Sequence, residues 1–250
     1  MNWVKEFYNK QYIWSKENVE GDFKELREDL VDKLETYATP STKRILELGS
    51  GLGQFAVAAA KRGYGVTTIE LTEEGVKHAK MLAEKHGVED QVSIVHGDFY
   101  EVEFDKQFDI ICYWDGFGIG SDADQQKLLK RVSKWMKSDA LALIDIYTPW
   151  YWAKVAGESM SMGGLARQYD FDSIECKMVD TWWIKGREED KVTQYLRCYS
   201  PADLKLLIGE LNLALDHVEP GGAMNYDEQK YHAKVPLHQA MSYMAVLKKK

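Results

Sequence analysis

The chain has 250 residues, is 45% hydrophobic and 29% charged, and carries eight Trp, fourteen Tyr and eight Phe. That apolar mass excludes a mainly disordered chain, and one domain, with or without a subdomain, is expected at this length. Three widely spaced cysteines (Cys112, Cys176, Cys198) exclude a disulfide scaffold and suit a reducing, cytoplasmic setting, while a net charge of −8 removes the attraction that dominates nucleic-acid binding. The N-terminal stretch MNWVKEFYNKQYIWSKE mixes charge with aromatics, unlike a signal peptide, and no apolar run approaches the length of a membrane span.

Along the chain, helical and strand-like periodicity alternate, which predicts an α/β fold with a mostly parallel sheet. An amphipathic helix is expected over Asp22–Tyr37, stopping before Pro40. Arg44–Leu48 reads as a strand that runs into Gly49–Gly53, followed by an Ala-rich helix over Gln54–Arg62 and a second strand at Gly65–Glu70. Thr72 caps a helix over Glu73–His86, which Gly87 ends. Strands follow at Gln91–His96 and Phe108–Tyr113, then a helix capped by Asp122 or Asp124, then a strand over Leu141–Tyr147. From Pro149 the rhythm changes: residues 148–199 read as an insertion, Met- and aromatic-rich at first, then two or three alternating strands with a turn near Gly186–Asp190. The regular pattern resumes with a helix from Ser200 to about Leu211 and strands at Leu213–Glu219 and Met241–Lys248.

Four segments at strand ends carry chemistry. Glu47-Leu48-Gly49-Ser50-Gly51-Leu52-Gly53 leaves a strand and opens a helix, the setting in which backbone approaches a ligand closely. A dinucleotide fingerprint would place a third Gly or Ala where Gln54 stands, and Glu47 would repel a pyrophosphate but attract an ammonium. Glu70, ending the next strand, lies where an acid takes ribose hydroxyls. Asp98 can accept from an adenine amino group while Phe99 packs on the ring, and Tyr113-Trp114-Asp115-Gly116-Phe117 closes the fourth strand.

In this order and spacing, ILELGSGLGQ, TTIEL, HGDF and FDIICYW resemble the cofactor motifs of class I, Rossmann-like S-adenosylmethionine-dependent methyltransferases of small-molecule type, over about residues 40–147. The ending, YSPADLKLLIGEL and MSYMAVL, is similar to the last helix and hairpin of that fold. The resemblance implies a three-layer α/β/α domain with strand order 3-2-1-4-5-7-6, the last strand antiparallel. It implies that Glu47 faces the methionine ammonium, that Gly49, Gly51 and Gly53 line the methionine moiety, and that Glu70 holds the ribose. Leu71, Asp98 and Phe99 would frame the adenine, and Trp114 would lie near the methionine end.

Residues 1–21 could form an aromatic lid through Tyr8, Tyr12 and Trp14, and the 148–199 insertion a substrate cap. Tyr147, Trp150, Trp182 and Arg197 are further candidates for the acceptor pocket, although any one of these aromatics could serve packing and Arg197 could simply pair with an acid. Asp115 and Asp145 are the candidate bases. Metal-dependent relatives place an Asp-Asn pair near strand five, whereas Asp145 is followed by Ile146, so no metal is expected. No Pro-Pro-aromatic element follows the fourth strand, which argues against exocyclic-amine methylation of nucleic acid. The expectation is a methyltransferase for a small-molecule acceptor. A non-catalytic cofactor-binding subunit, a protein methyltransferase and an NAD-dependent oxidoreductase remain the alternatives, and the inserted sheet could pair two chains.

Overall fold

The computed structural model describes residues 2–18 and 25–250. Helices α1 (Asn2–Asn18) and α2 (Glu28–Glu35) precede β1 (Arg44–Leu48), α3 (Gln54–Lys61), β2 (Gly65–Glu70), α4 (Glu73–His86) and β3 (Val92–His96). Next come β4 (Phe108–Tyr113), α5 (Asp122–Trp135) and β5 (Met136–Tyr147). The inserted segment holds α6 (Pro149–Lys154), β6 (Ser159–Met162), β7 (Leu165–Asp172), β8 (Lys177–Ile184) and β9 (Val192–Arg197). The chain ends with α7 (Pro201–Leu207), β10 (Ala214–Pro220), the short strands β11 (Ala223–Asn225) and β12 (Lys230–His232), and β13 (Ser242–Lys248).

Seven strands form one sheet in the order β10-β13-β5-β4-β1-β2-β3. Within it, β13 runs antiparallel to both β5 and β10, and the other pairs are parallel, so the order and the reversed last strand match the expectation. From β1 the chain winds outward through β2 and β3, then returns to β4 on the other side. The carboxyl ends of β1 and β4 therefore flank the point where helices diverge, and a crevice opens there.

The central strands read as nearly unbroken apolar runs because both sheet faces are covered. One face packs Ile45, Val66 and Ile110 against α2 and the Ala-rich α3. The other packs Leu46, Ile111 and Ile144 against Leu128, Leu129 and Val132 of α5 and Leu204 and Leu207 of α7. Thr72 caps α4 by accepting from Gly75 N, and Gly87 ends it in a left-handed conformation, φ 64°. For α5 the cap is Ser121 rather than Asp122 or Asp124: its side chain accepts from Asp124 N while Asp124 accepts in return from Ser121 N. Ser200 and Asp203 form the same reciprocal box on α7.

Some boundaries differ from the expectation. Helix α2 starts at Glu28, not Asp22; Asp22 lies outside the described residues, and residues 25–27 are not helical. Strand β5 begins at Met136, directly after α5, several residues before the apolar run that marks it in the sequence. The insertion carries a separate antiparallel sheet of four strands, β6-β7-β8-β9. Ser-Met-Ser-Met of β6 has no β-branched residue to announce it.

The inserted sheet is held to α1 by a shared aromatic core of Phe7, Trp14, Leu165, Trp182 and Val192. At its centre lies Asp180, fully buried, which accepts from Arg167 Nη2 at 2.6 Å, Trp182 Nε1 at 2.8 Å and Gln194 Nε2 at 2.8 Å. The Arg167 guanidinium also lies over the Trp182 ring, 4.3 Å from its centroid. A buried charge needs such saturation of its lone pairs.

Candidate active site

A cavity of about 480 Å³ opens at the carboxyl ends of the central strands. Its floor is the β1–α3 loop. Gly49, Gly51 and Gly53 all adopt positive φ (64°, 55° and 84°), which lets five residues reverse from strand to helix. Gly53 is not on the cavity wall. Its missing side chain instead lets α3 approach α4, where a Cβ would lie 2.6 Å from Ala79 Cβ.

The loop is fixed from the neighbouring strand. The Glu70 carboxylate accepts from Gly51 N at 2.9 Å, Thr72 N at 2.8 Å and Thr72 Oγ1 at 2.7 Å. The ring of Tyr12 lies above the same loop, its hydroxyl 3.4 Å from where a Gly51 Cβ would stand. Helix α1 thus roofs the cavity. It is tied to α4 by the Lys16–Glu74 ion pair and to β9 by the Tyr8 hydroxyl, which donates to Gln194 Oε1 at 3.3 Å.

Glu47, Gly49, Gly51, Glu70, Leu71, Asp98, Phe99, Trp114 and Asp115 all line the cavity, as do Tyr8 and Tyr12. Three buried polar atoms there lack a hydrogen-bond partner among the described residues, Glu47 Oε2, Ser50 Oγ and Trp114 Nε1. Burial pushes the Glu47 pKa up to about 8, with the Glu70 carboxylate adding to the rise. Glu70 is itself raised by burial, against the hydrogen bonds it accepts. Asp98 accepts from Tyr100 N at 2.8 Å, which turns the chain after β3 and leaves Phe99 on the wall.

Asp115 follows β4 in a left-handed conformation, φ 54°. Gly116 permits this bend, since a Cβ there would stand 2.8 Å from the Tyr113 ring. Tyr147, at the end of β5, donates its hydroxyl to Asp115 Oδ1. Protein mass around the cavity raises the Asp115 pKa, while Arg167 and Arg27 pull it back down. Burial also raises Asp145, to about 6, but Asp145 is not on the cavity wall.

Other candidates lie elsewhere. Trp14 and Trp182 are buried in the core between α1 and the inserted sheet, and Trp182 Nε1 is engaged by Asp180. Trp150 packs against the second apolar cluster of the insertion, away from the cavity wall. Arg197 faces the start of α5, where its Nε donates to Asp122 Oδ1 at 3.1 Å. Trp182 and Arg197 alternate correctly for strands β8 and β9, but packing against α1 and the ion pair with Asp122 turn them from the crevice. Arg27, outside the residues expected at the site, is also on the wall. It stands just before α2 and forks onto Asp29, 2.8 and 2.7 Å, and no local sequence signal points it toward β1. Among the described residues no cluster of three His, Cys, Asp or Glu side chains is placed to hold a metal ion, and no helix is long and apolar enough to cross a membrane.

Strand order, glycine loop and acidic β2 end together are those of the class I, Rossmann-like methyltransferase fold. Residues 45–139 match the family model described as a methyltransferase domain. In fold it is similar to a S-adenosylmethionine-dependent methyltransferase from Clostridium acetobutylicum ATCC 824 (TM-score 0.71, 15% identity, 97% of this chain and 98% of that one). It is also similar in fold to the CcbJ methyltransferase from Streptomyces caelestis (TM-score 0.70, 16% identity, 87% and 88% covered). Among curated proteins, the ubiquinone biosynthesis O-methyltransferase of Rickettsia prowazekii (strain Madrid E) is 21% identical over 193 residues, 77% of this chain and 67% of that protein. The first curated relatives it matches are covered over less than half their length, between 42% and 49%.

The cofactor of this class fits the residues present. The unpartnered Glu47 oxygen can accept from the amino-acid ammonium, and the glycine loop leaves room for backbone to approach it. Glu70 has lone pairs left for ribose hydroxyls after its three hydrogen bonds. Asp98 and Phe99 offer an acceptor and a ring face to adenine.

Proposed function

We propose that the chain transfers a methyl group from S-adenosylmethionine to a small-molecule acceptor that enters beneath α1. The observation that supports this most is one continuous cavity joining the Glu47–Glu70 cradle to Asp115, roofed by Tyr8 and Tyr12. Bound there, S-adenosylmethionine supplies an electrophilic methyl group on a sulfonium. The chain's own work is then positioning and exclusion of water. Glu47 and Glu70 anchor the two polar ends of the cofactor, with Asp98 and Phe99 at the base. Tyr8 and Tyr12 close the roof and hold the acceptor in line with the methyl. Asp115, oriented by Tyr147, orients the acceptor and takes its proton where one must leave. In this reading residues 2–18, the described part of the expected 1–21 lid, act as the lid, with Trp14 anchoring it, and residues 148–199 as the cap that carries it.

Other curated relatives carry names with dissimilar acceptors, a cypemycin N-terminal methyltransferase and a tRNA 5-carboxymethoxyuridine methyltransferase, so the acceptor has to be read from this cavity. The net charge of −8 weighs against a nucleic acid. Calorimetric titration with S-adenosylhomocysteine, with NAD as control, tests the reading. Micromolar binding of the first and none of the second is expected; binding of NAD alone would replace it with an oxidoreductase.

A further inference from the structure

Building on the methyl-transfer reading, we propose that the acceptor is a small-molecule amine, bound as its ammonium form between the Asp115 carboxylate and the rings of Tyr8 and Tyr12. The argument starts from the charge of Asp115. Its carboxylate opens into the cavity, and only Oδ1 has a hydrogen-bond partner among the described residues, the Tyr147 hydroxyl. The cations whose fields reach it are committed elsewhere. Arg167 is forked onto Asp180 at 3.2 and 2.6 Å, and Arg27 onto Asp29 at 2.8 and 2.7 Å. Neither makes an ion pair with Asp115. Asp115 is exposed to the cavity, and a carboxylate that carries no cation of its own there is free to pair with a ligand that brings one.

The backbone supports the same conclusion. Aspartate at φ 54° sits in the left-handed region, and a side chain stays there where surrounding contacts over-determine it. Here Tyr113, Gly116 and Tyr147 hold the turn so that the carboxylate points at the cavity. The opposite wall is aromatic: Tyr8 and Tyr12, 6.0 Å apart between ring centroids, both feel the Asp115 charge. A carboxylate facing ring π-systems recognises an alkylammonium, and methylated ammonium ions keep the charge that is recognised. A hydroxyl acceptor would leave Asp115 without a counter-charge, and an anionic acceptor would be repelled by Asp115 and by nearby Asp145.

The step balances. The ammonium passes one proton to Asp115 and becomes a neutral amine. Its lone pair forms the N–C bond as the C–S bond breaks, the sulfonium's charge passing to nitrogen and its sulfur becoming a thioether. The proton on Asp115 leaves to solvent when product departs. The raised pKa of Asp115 suits it to that exchange.

The test uses the full chain saturated with S-adenosylhomocysteine, at constant ionic strength. Methylammonium, dimethylammonium and tetramethylammonium chlorides are titrated against the neutral isosteres 2-propanol and tert-butanol, read by tyrosine and tryptophan fluorescence. The cations should bind in the millimolar range and the alcohols about tenfold or more weaker. Asp115→Asn, which tolerates the left-handed backbone and so keeps the fold, should lose about tenfold or more of cation affinity at an unchanged melting temperature. Equal response to cations and alcohols would overturn the proposal, as would wild-type cation binding by Asp115→Asn. Binding of a lysine-bearing peptide without the small cations would overturn its small-molecule form. Failure of S-adenosylhomocysteine to bind at all would overturn the methyl-transfer reading on which it rests.

Discussion

Glu47→Gln separates the cost of the cofactor cradle from its benefit. Glu47 is 3% exposed and one of its oxygens has no partner among the described residues, so the folded chain holds its carboxyl neutral up to about pH 8, against 4.5 for an unperturbed glutamate. The folded state therefore keeps a proton that the unfolded chain releases. The stabilisation tied to this proton is complete below about pH 4.5 and is lost as pH rises through 8. The loss is about 1.4 kcal/mol per pH unit across that window, or about 3 kcal/mol by pH 7 and about 5 kcal/mol at its end. Gln cannot ionise, so the variant lacks this slope. Its carboxamide adds a fixed offset of about 1–3 kcal/mol for a buried donor, which does not vary with pH. Urea denaturation of both proteins from pH 5 to 8.5 gives the difference directly. The wild type should fall relative to the variant by about one proton's worth per pH unit. In the same preparations the variant should bind S-adenosylhomocysteine about 10- to 100-fold more weakly, having lost a charge-assisted hydrogen bond. Parallel stability profiles would refute the burial argument, and unchanged affinity would refute the role of Glu47 as the ammonium partner.

Other substitutions test neighbouring parts of the argument. Gly53→Ala should destabilise the fold by about 2–4 kcal/mol, because the new Cβ meets Ala79 at 2.6 Å on a left-handed backbone; a loss under about 0.5 kcal/mol in chemical denaturation would contradict it. Asp180→Ala should cost about 3–5 kcal/mol by leaving Arg167 buried without its partner. If thermal and urea unfolding show a cost near zero, that ion pair does not hold the inserted sheet. Glu70→Gln places an amide donor against Gly51 N or Thr72 N; about 1–3 kcal/mol of stability and about tenfold of S-adenosylhomocysteine affinity should go together. Loss of one without the other would uncouple loop and ligand.

The central domain was legible from residue order alone, because its signals are local. Apolar runs mark strands covered on both faces, and β1 and β2 begin and end where the runs do. Thr72 and Gly87 fix α4 through hydrogen bonds that span only a few residues. Glu47, Glu70, Asp98 and Asp115 stand at strand ends, and in a parallel sheet all strand carboxyl ends face one crevice, so their convergence follows from the order of elements. Everything that depends on how distant segments meet came from packing. Glu70's attachment to the glycine loop, Tyr147's hydrogen bond to Asp115, and the arrival of Arg27 at the wall each join residues that local periodicity leaves unrelated. The inserted segment shows the difference most sharply. Alternation marks β7, β8 and β9 as strands, but cannot say which face of their sheet meets α1. Packing resolved that choice by burying Trp14 and Trp182 together and turning Arg197 toward Asp122, since the largest apolar surfaces gain most by leaving water and the guanidinium gains by staying at the edge.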